Sequence, residues 1–478
     1  MAQTTIAQPQ SFTPAYNPVK YIIDSTNKNN TGFKYIFDVY DGATRIGRFK
    51  TLPRISDGYG EQDLSKFLSS YVSWNFENTN TTDYDADNCY QVYQVKTGEE
   101  YLAEFSYTSA LTNSGGFVRV NVSNTFAIGD QVNITQADGG TANPLVEGLH
   151  SVTNASATWF EIGVSWASVT DANIDGVVTY ADNRKVVTYD IQTLSAANVF
   201  NGAVRFALWP TWDEDTYNPN DPSKLWLTNQ PLTNFSATLG QDIWLNIRAR
   251  AGRKVVFENS NGEQFFKTIA TNASIQGVAV GPNNYGTLTP VGLATLPLIK
   301  DDTTYYEFYY DDSGVSSKTY RVNLDRRESI EEVDVVFFDR LGSMSSFAFQ
   351  LKTYERVEVT REEYNQDVTG YVDDSQWKYE PKEFGYSTIN LNAVKSLELN
   401  TNWMNQEMAT YFEELVTSPQ VFIKQVTYSC PDGVLVTSTE YVPAIVTTNS
   451  FEVFKQRNKN LIKQTINVKL ANNDAING

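Results

Sequence analysis

The amino-acid sequence predicts a mainly β protein: two β-sandwich-like domains, each with one docked amphipathic helix, plus a small inserted β-barrel. Three observations predict it. Tyr (28) and Phe (26) are abundant and aromatics make up 13% of the 478 residues, a composition that favours strands over helices. Apolar residues recur at period two in several short runs. Asp-Gly, Asn-Gly and Gly-Asp turn signals separate those runs.

The elements follow in chain order. Residues 1–18 are polar and carry Pro9, Pro14 and Pro18, which predicts an extended N-terminal arm able to lie on a neighbour. A first β domain is expected over 19–112 and 181–230. Within it Phe33, Tyr35, Phe37 and Val39 alternate, so they share one face of a strand. Asp41-Gly42 turns that strand into a hairpin. Leu64, Phe67, Leu68, Tyr71 and Val72 then follow helical spacing, with Asp63 as N-cap.

Residues 113–180 read as an insert. Five or so short β runs alternate with Gly-Asp and Asp-Gly turns, the pattern of a small barrel. A connector rich in Trp, Asp, Asn and Pro follows at 209–233. The second β domain spans 231–478, with hairpins at 258–264 and 310–314. Met408, Tyr411, Phe412 and Leu415 mark an amphipathic helix that Ser418-Pro419 stops. Tyr411 and Phe412 are expected to hold this helix on the second sheet, and they also stand as interface candidates.

The net charge of −19 keeps a large particle soluble and disfavours nucleic acid as a sequence-specific partner. The charge is uneven: residues 301–380 are acidic, whereas Lys455, Arg457, Lys459, Lys463 and Lys469 make the end basic. The polar N-terminus carries no signal-peptide pattern, and no apolar run reaches the ~18 residues of a membrane span, so no membrane partner is expected. Cys89 and Cys430 lie far apart, a usage normal for a reduced compartment.

Chemistry-bearing motifs are sparse. The single histidine, His150, falls in the insert with no nucleophile motif beside it, and no phosphate-binding glycine loop or CxxC pair occurs. The sequence therefore reads as a non-enzyme with no catalytic residue and no cofactor. Asp83, Asp85 and Asp87 resemble the opening of a calcium loop. Asn88 replaces the glycine at loop position 6 and Gln94 the glutamate at position 12, so they are weak metal candidates. Arg248, Arg250, Arg253 and Lys254 form the one dense basic patch, with Arg248 and Arg250 expected on one strand face. They are candidates for contact with an acidic neighbour.

Several segments carry a family resemblance. NPVKYIIDSTNKNNTGFKYIFDVYDG and KTLPRISDGYGEQDLSKFLSSYV resemble the opening of structural proteins from tailed phages of Bacteroidetes hosts, including crAss-like phages. KLWLTNQP is similar to their FLTN-x-P segment. VVFFDRLGSMSSFAF is similar to their Asn-Arg-Leu-Gly hairpin, with Asp339 in place of the Asn. LELNTNWMNQEMATYFEELVTSPQVFI and YVPAIVTT resemble their C-terminal helix-and-strand unit. In the insert, FAIGDQVNI, EGLHSVT and ATWFEI are similar to small barrels that decorate phage tail proteins, with Glu147 in place of an Asn. The resemblance implies a virion structural protein of the tail, neck ring or baseplate, assembled in the host cytoplasm. It implies as partners other copies of the chain and neighbouring tail or neck proteins. The alternative is a carbohydrate- or receptor-binding tail adhesin with a host-surface glycan as partner. Its support is the set of tryptophans in polar loops: Trp209, Trp212, Trp226 and Trp377.

Overall fold

The computed structural model describes residues 3–73, 83–217, 226–233, 235–269, 275–291, 297–312, 314–327, 332–367, 370–380, 385–429, 436–448 and 462–471. Cys430 and the basic positions 455, 457 and 459 lie outside the described residues. Strand accounts for 52% of the chain and helix for 8%, which establishes the mainly β class. The chain divides into two compact units. The smaller contains Met1–Thr13, Pro18–Phe67 and Val92–Asn198, and the larger Pro14–Asn17, Leu68–Gln91 and Val199–Gly478. The first domain expected from sequence is thus trimmed: 68–91 and 199–230 belong to the larger unit.

In the smaller unit the period-two reading holds for Lys34–Asp41, with Tyr35, Phe37 and Val39 all buried. The opposite face is buried as well, through Ile36 and Asp38. Asp38 tolerates this because Arg48 grips both its oxygens, Nε to Oδ1 and Nη2 to Oδ2, each at 2.6 Å. The turn at Asp41-Gly42 leads into Thr44–Thr51, Asp41 pairing with Thr44.

The N-terminal arm is not free. Gln3–Ala7 is a strand antiparallel to Lys20–Ser25. Gln3 is buried, donating to the Gly98 carbonyl at 2.8 Å and accepting from the Thr97 hydroxyl at 2.6 Å. An arm available to a neighbour would leave those buried groups unpaired.

The first helix is also shorter than its periodicity suggests. α1 covers Ser65–Leu68 and passes into a 3-10 turn at Ser69–Tyr71. Asp63 lies one position before the N-cap rather than at it, its Oδ1 accepting from the Ser65 N–H at 2.9 Å and the Val19 N–H at 3.1 Å. Ser69 and Ser70 compete for backbone hydrogen bonds and favour an early end.

The insert is a seven-stranded antiparallel sheet built from residues 104–180, with Leu111–Ser114 and Glu104–Tyr107 as its two edge strands. It closes over its own core, which includes Val118, Ile134, Phe160 and Val178. Its boundary falls at 103 rather than 113, since Glu104–Tyr107 pairs with Gly176–Tyr180 and Leu111–Ser114 with Phe117–Val120. Glu147 is accommodated because its Oε2 accepts from the Gln136 N–H at 2.7 Å.

The insert springs from a hairpin. Tyr90–Leu102 and Lys185–Thr193 run antiparallel, with Leu102 opposite Lys185. They approach so closely that a Cβ on Gly98 would sit 2.4 Å from the Thr188 carbonyl oxygen. Replacing residues 103–184 by Asn-Gly should therefore leave a simple two-residue hairpin. The shortened chain is expected to stay soluble and to keep a cooperative thermal transition. Aggregation or a broad transition would show that the insert belongs to the main core.

The larger unit holds a seven-stranded sheet within 235–325 and a ten-stranded sheet. Side chains from both enter one hydrophobic core, including Phe257 and Phe308 from the first and Phe337 and Val468 from the second. This is a sandwich-like arrangement. The hairpins expected at 258–264 and 310–314 are present, with Glu258 opposite Gln264 and Asp312 opposite Val315.

α2 spans Gln406–Val416. Asn405 caps it by accepting from the Met408 N–H at 2.8 Å, and it ends at Thr417, two residues before Pro419. Its apolar stripe lies on the core as the spacing predicts. The Phe412 ring meets that of Phe347 edge-on at 5.1 Å and that of Phe349 at 6.1 Å.

Candidate functional site

Three of the segments singled out in the sequence converge in the larger unit: 226–231, 335–349 and α2. Thr228 donates to Asp339 Oδ2 at 2.5 Å. Asp339 Oδ1 accepts from the N–H groups of Leu341 and Ser343, at 2.9 and 3.0 Å. Glu414, on α2, accepts from Asn229 Nδ2 at 3.0 Å and from the Arg340 N–H at 3.1 Å. Arg205 lies 3.3 Å from Glu413 and 4.0 Å from Glu414.

Burial pushes the Asp339 carboxyl well above the usual range, and the nearby Glu414 adds to the rise. Burial also raises Glu414. Both carboxyls therefore hold their protons to higher pH than a free carboxyl does. Beside this knot opens a cleft of about 790 Å³, within the size range of ligand sites. Trp212 and Tyr217 stand in its wall, their rings 5.2 Å apart and 21° from parallel.

A second acidic knot sits between the Val333–Phe338 and Val421–Ser429 strands, where Asp334 lies opposite Lys424. Lys424 Nζ is 2.7 Å from Asp242 Oδ2 and donates to the Gly240 carbonyl at 2.6 Å. Asn283 donates to the other Asp242 oxygen at 2.7 Å, and the Tyr441 hydroxyl also donates to Asp242. Burial, and then the Glu332 carboxylate, push Asp334 up to about 8, against the pull of Lys424.

This shift has a defined consequence. The folded chain keeps the Asp334 proton to higher pH than the unfolded chain, whose Asp ionises near 4. Its contribution to stability is full below pH ~4 and is lost as pH rises toward 8. Urea midpoints should therefore fall less between pH 5 and pH 8 in Asp334→Asn than in the wild type. Equal slopes would show that Asp334 ionises normally.

The residues singled out from sequence do not gather into one site. Asp83 is a structural partner: its Oδ1 takes Lys267 Nζ at 2.6 Å and the Ala279 N–H at 2.8 Å. Asp85 lies in a two-residue strand whose backbone pairs with Gln276, and Asp87 opens a 3-10 turn. The side chains of Asp85 and Asp87 lie outside the description. Among the described residues, no group of three His, Cys, Asp or Glu is placed to hold a metal ion.

Arg248 and Arg250 do not share a strand face, because the strand Trp244–Ile247 ends before them. Arg248 is half-buried toward Glu214 and Asp215, and burial lowers its pKa. Arg250, Arg253 and Lys254 occupy the turn that enters Lys254–Asn259, with Arg250 and Lys254 exposed. Lys254 Nζ lies 4.2 Å from the Phe266 ring centre. Tyr411 and Phe412 are buried in the chain's own core, so neither presents an interface.

His150 Nε2 lies 2.9 Å from the Val146 carbonyl oxygen. Trp226 is fully buried, its Nε1–H donating to Ser317. Glu414 and Arg205 were not singled out in the sequence. Glu414 falls three positions after Tyr411, on the buried flank of the stripe, and that spacing was the available signal.

A scan against protein-family models finds no match, and no curated protein matches the chain. No helix among the described residues is long and apolar enough to cross a membrane.

Proposed function

We propose that the chain is a virion structural protein of a tailed bacteriophage, part of a tail, neck-ring or baseplate assembly. It acts mechanically, through contacts with copies of itself and with neighbouring tail or neck proteins. One observation carries this reading. The ten-stranded sheet ends in a two-stranded ribbon, Tyr354–Gln366 with Gly385–Asn400, most of whose residues are exposed. A two-stranded ribbon alone in water is marginal, and exposed apolar side chains along one mark a surface meant for a partner. The segments that resemble phage structural proteins add support, since three of them build one buried knot.

Quantitative mass spectrometry of purified particles tests the reading. The chain should be present in several copies per particle, in a fixed ratio to the other tail proteins. Its absence from particles would reject the proposal.

A second reading, a glycan-binding adhesin, draws on two aromatic pairs. Trp212 and Tyr217 stand in the cleft, and Trp377 and Tyr379 lie 5.5 Å apart at the ribbon's far end, both exposed. Binding on a glycan array that Trp212→Ala or Trp377→Ala abolishes would favour it.

A further inference from the structure

We infer that Lys424 and Asp242 condense to an internal amide, Nζ to Cγ, a covalent tie built into the fold of the larger unit. The inference neither needs nor bears on the assembly reading.

Placement comes first. Lys424 lies on Val421–Ser429, a strand of the ten-stranded sheet. Asp242 lies between Phe235–Thr238, of the seven-stranded sheet, and Trp244–Ile247, of the ten-stranded one. Far apart in sequence, the two meet with Lys424 Nζ 2.7 Å from Asp242 Oδ2 and with side chains 11% and 3% exposed. Cγ is one bond behind that oxygen, so Nζ stands close to the roughly 3–3.5 Å of a near-attack arrangement. The Gly240 carbonyl accepts from the same Nζ at 2.6 Å and holds it in place.

The surroundings suit the chemistry. Asn283 Nδ2 donates to Asp242 Oδ1 at 2.7 Å and can stabilise negative charge developing on that oxygen. The Tyr441 hydroxyl donates to Oδ2, the oxygen that would leave. Asp334 sits directly across the strand pair from Lys424, on the same face. It is buried, it lies near enough to feel the charges of both Lys424 and Asp242, and its Oδ1 has no hydrogen-bond partner. A buried oxygen left unpaired is costly and calls for a reason. Burial, and then Glu332, keep the Asp334 proton on up to about 8. A neutral carboxyl both donates and accepts, which is what a proton relay requires.

The step is a condensation. The Lys424 ammonium gives one proton to Asp242 Oδ2, and the freed nitrogen lone pair forms the bond to Cγ. The nitrogen's second proton passes by way of Asp334 to Oδ2, and the Cγ–Oδ2 bond breaks to release water. One proton stays on the amide nitrogen, no net charge is taken up, and nothing is oxidised or reduced. A buried pair of charges becomes a neutral amide, which removes the cost of burying them. Until it links, the pair acts as the ion pair described above. Lys267 supplies the contrast. Its Nζ is 2.6 Å from Asp83 Oδ1, but among the described residues Asp83 is the one acid acting on it, so no link is expected there.

The test is the intact mass of the purified full chain, followed by tryptic mapping under denaturing conditions. The wild type should be one water lighter than its sequence, with one branched peptide joining the segments that hold Asp242 and Lys424. Lys424→Arg and Asp242→Ala should each give the full sequence mass. Asp334→Asn, which keeps the side chain's shape, should slow linking by about a hundredfold or more while the chain still melts cooperatively. A wild type of full mass would overturn the inference, whether or not any variant folds. So would a water lost within one linear peptide, the mark of a cyclised aspartyl residue, or a branch from Lys424 to another acid. Linking at the wild-type rate in Asp334→Asn would overturn the role given to Asp334.

Discussion

Phe412→Ala should cost the larger unit about 3–5 kcal/mol, the range for removing a fully buried aromatic ring. The ring has no exposed surface and is held edge-on against Phe347 and Phe349. Both partners belong to Met344–Phe349, a strand of the ten-stranded sheet, so the cavity would open where α2 meets that sheet. Strands on either side fix the site, which limits collapse. Urea unfolding followed by tryptophan emission, to which Trp226 and Trp244 of the larger unit contribute, measures the loss. Phe412→Leu should recover much of the loss. A loss below ~1 kcal/mol would mean that the helix is not locked to the sheet.

Lys424→Ala should have a comparable effect for a different reason. Lys424 and Asp242 form an ion pair with side chains only 11% and 3% exposed. Removing one member of a buried pair costs about 3–5 kcal/mol, because the remaining charge is stranded. Here Asp334 lies across the strand pair and Glu332 lies close by, so the loss of the ammonium leaves carboxyls together without it. Those acids can relieve the repulsion only by binding protons. The loss should therefore be larger at pH 8 than at pH 5, as urea midpoints at the two values would show. A pH-independent loss would mean that the side chain acts through packing alone.

Much of the fold is legible in the sequence where local pattern and tertiary packing agree. The α2 stripe, the hairpin at Asp41-Gly42 and the mainly β class all belong here. The reading fails where a long-range contact overrides a local signal. Gln3 looks like part of a free polar arm until Thr97 and Gly98, some 94 and 95 residues away, satisfy its amide. The insert boundary slips by ten residues because Glu104–Tyr107 finds its partner at Gly176–Tyr180, a pairing no local pattern announces.

The site is less legible than the fold. Asp339 stands out only as a departure from a resembled motif, and its partner Glu414 reads as an ordinary polar helix residue. Their union depends on burial, which no spacing records. The ribbon is hidden for the opposite reason. Val357 and Val359 alternate with polar residues, a pattern that does not record what covers it, and only the structure shows that both are exposed among the described residues.

We propose that the chain assembles as a repeated part of a virion. Cryo-EM of the intact particle tests it most directly. A closed ring of copies is expected in the tail, neck or baseplate, with each Tyr354–Gln366/Gly385–Asn400 ribbon covered by a neighbouring protein. A single copy at a fibre tip, its ribbon exposed to solvent, would contradict it.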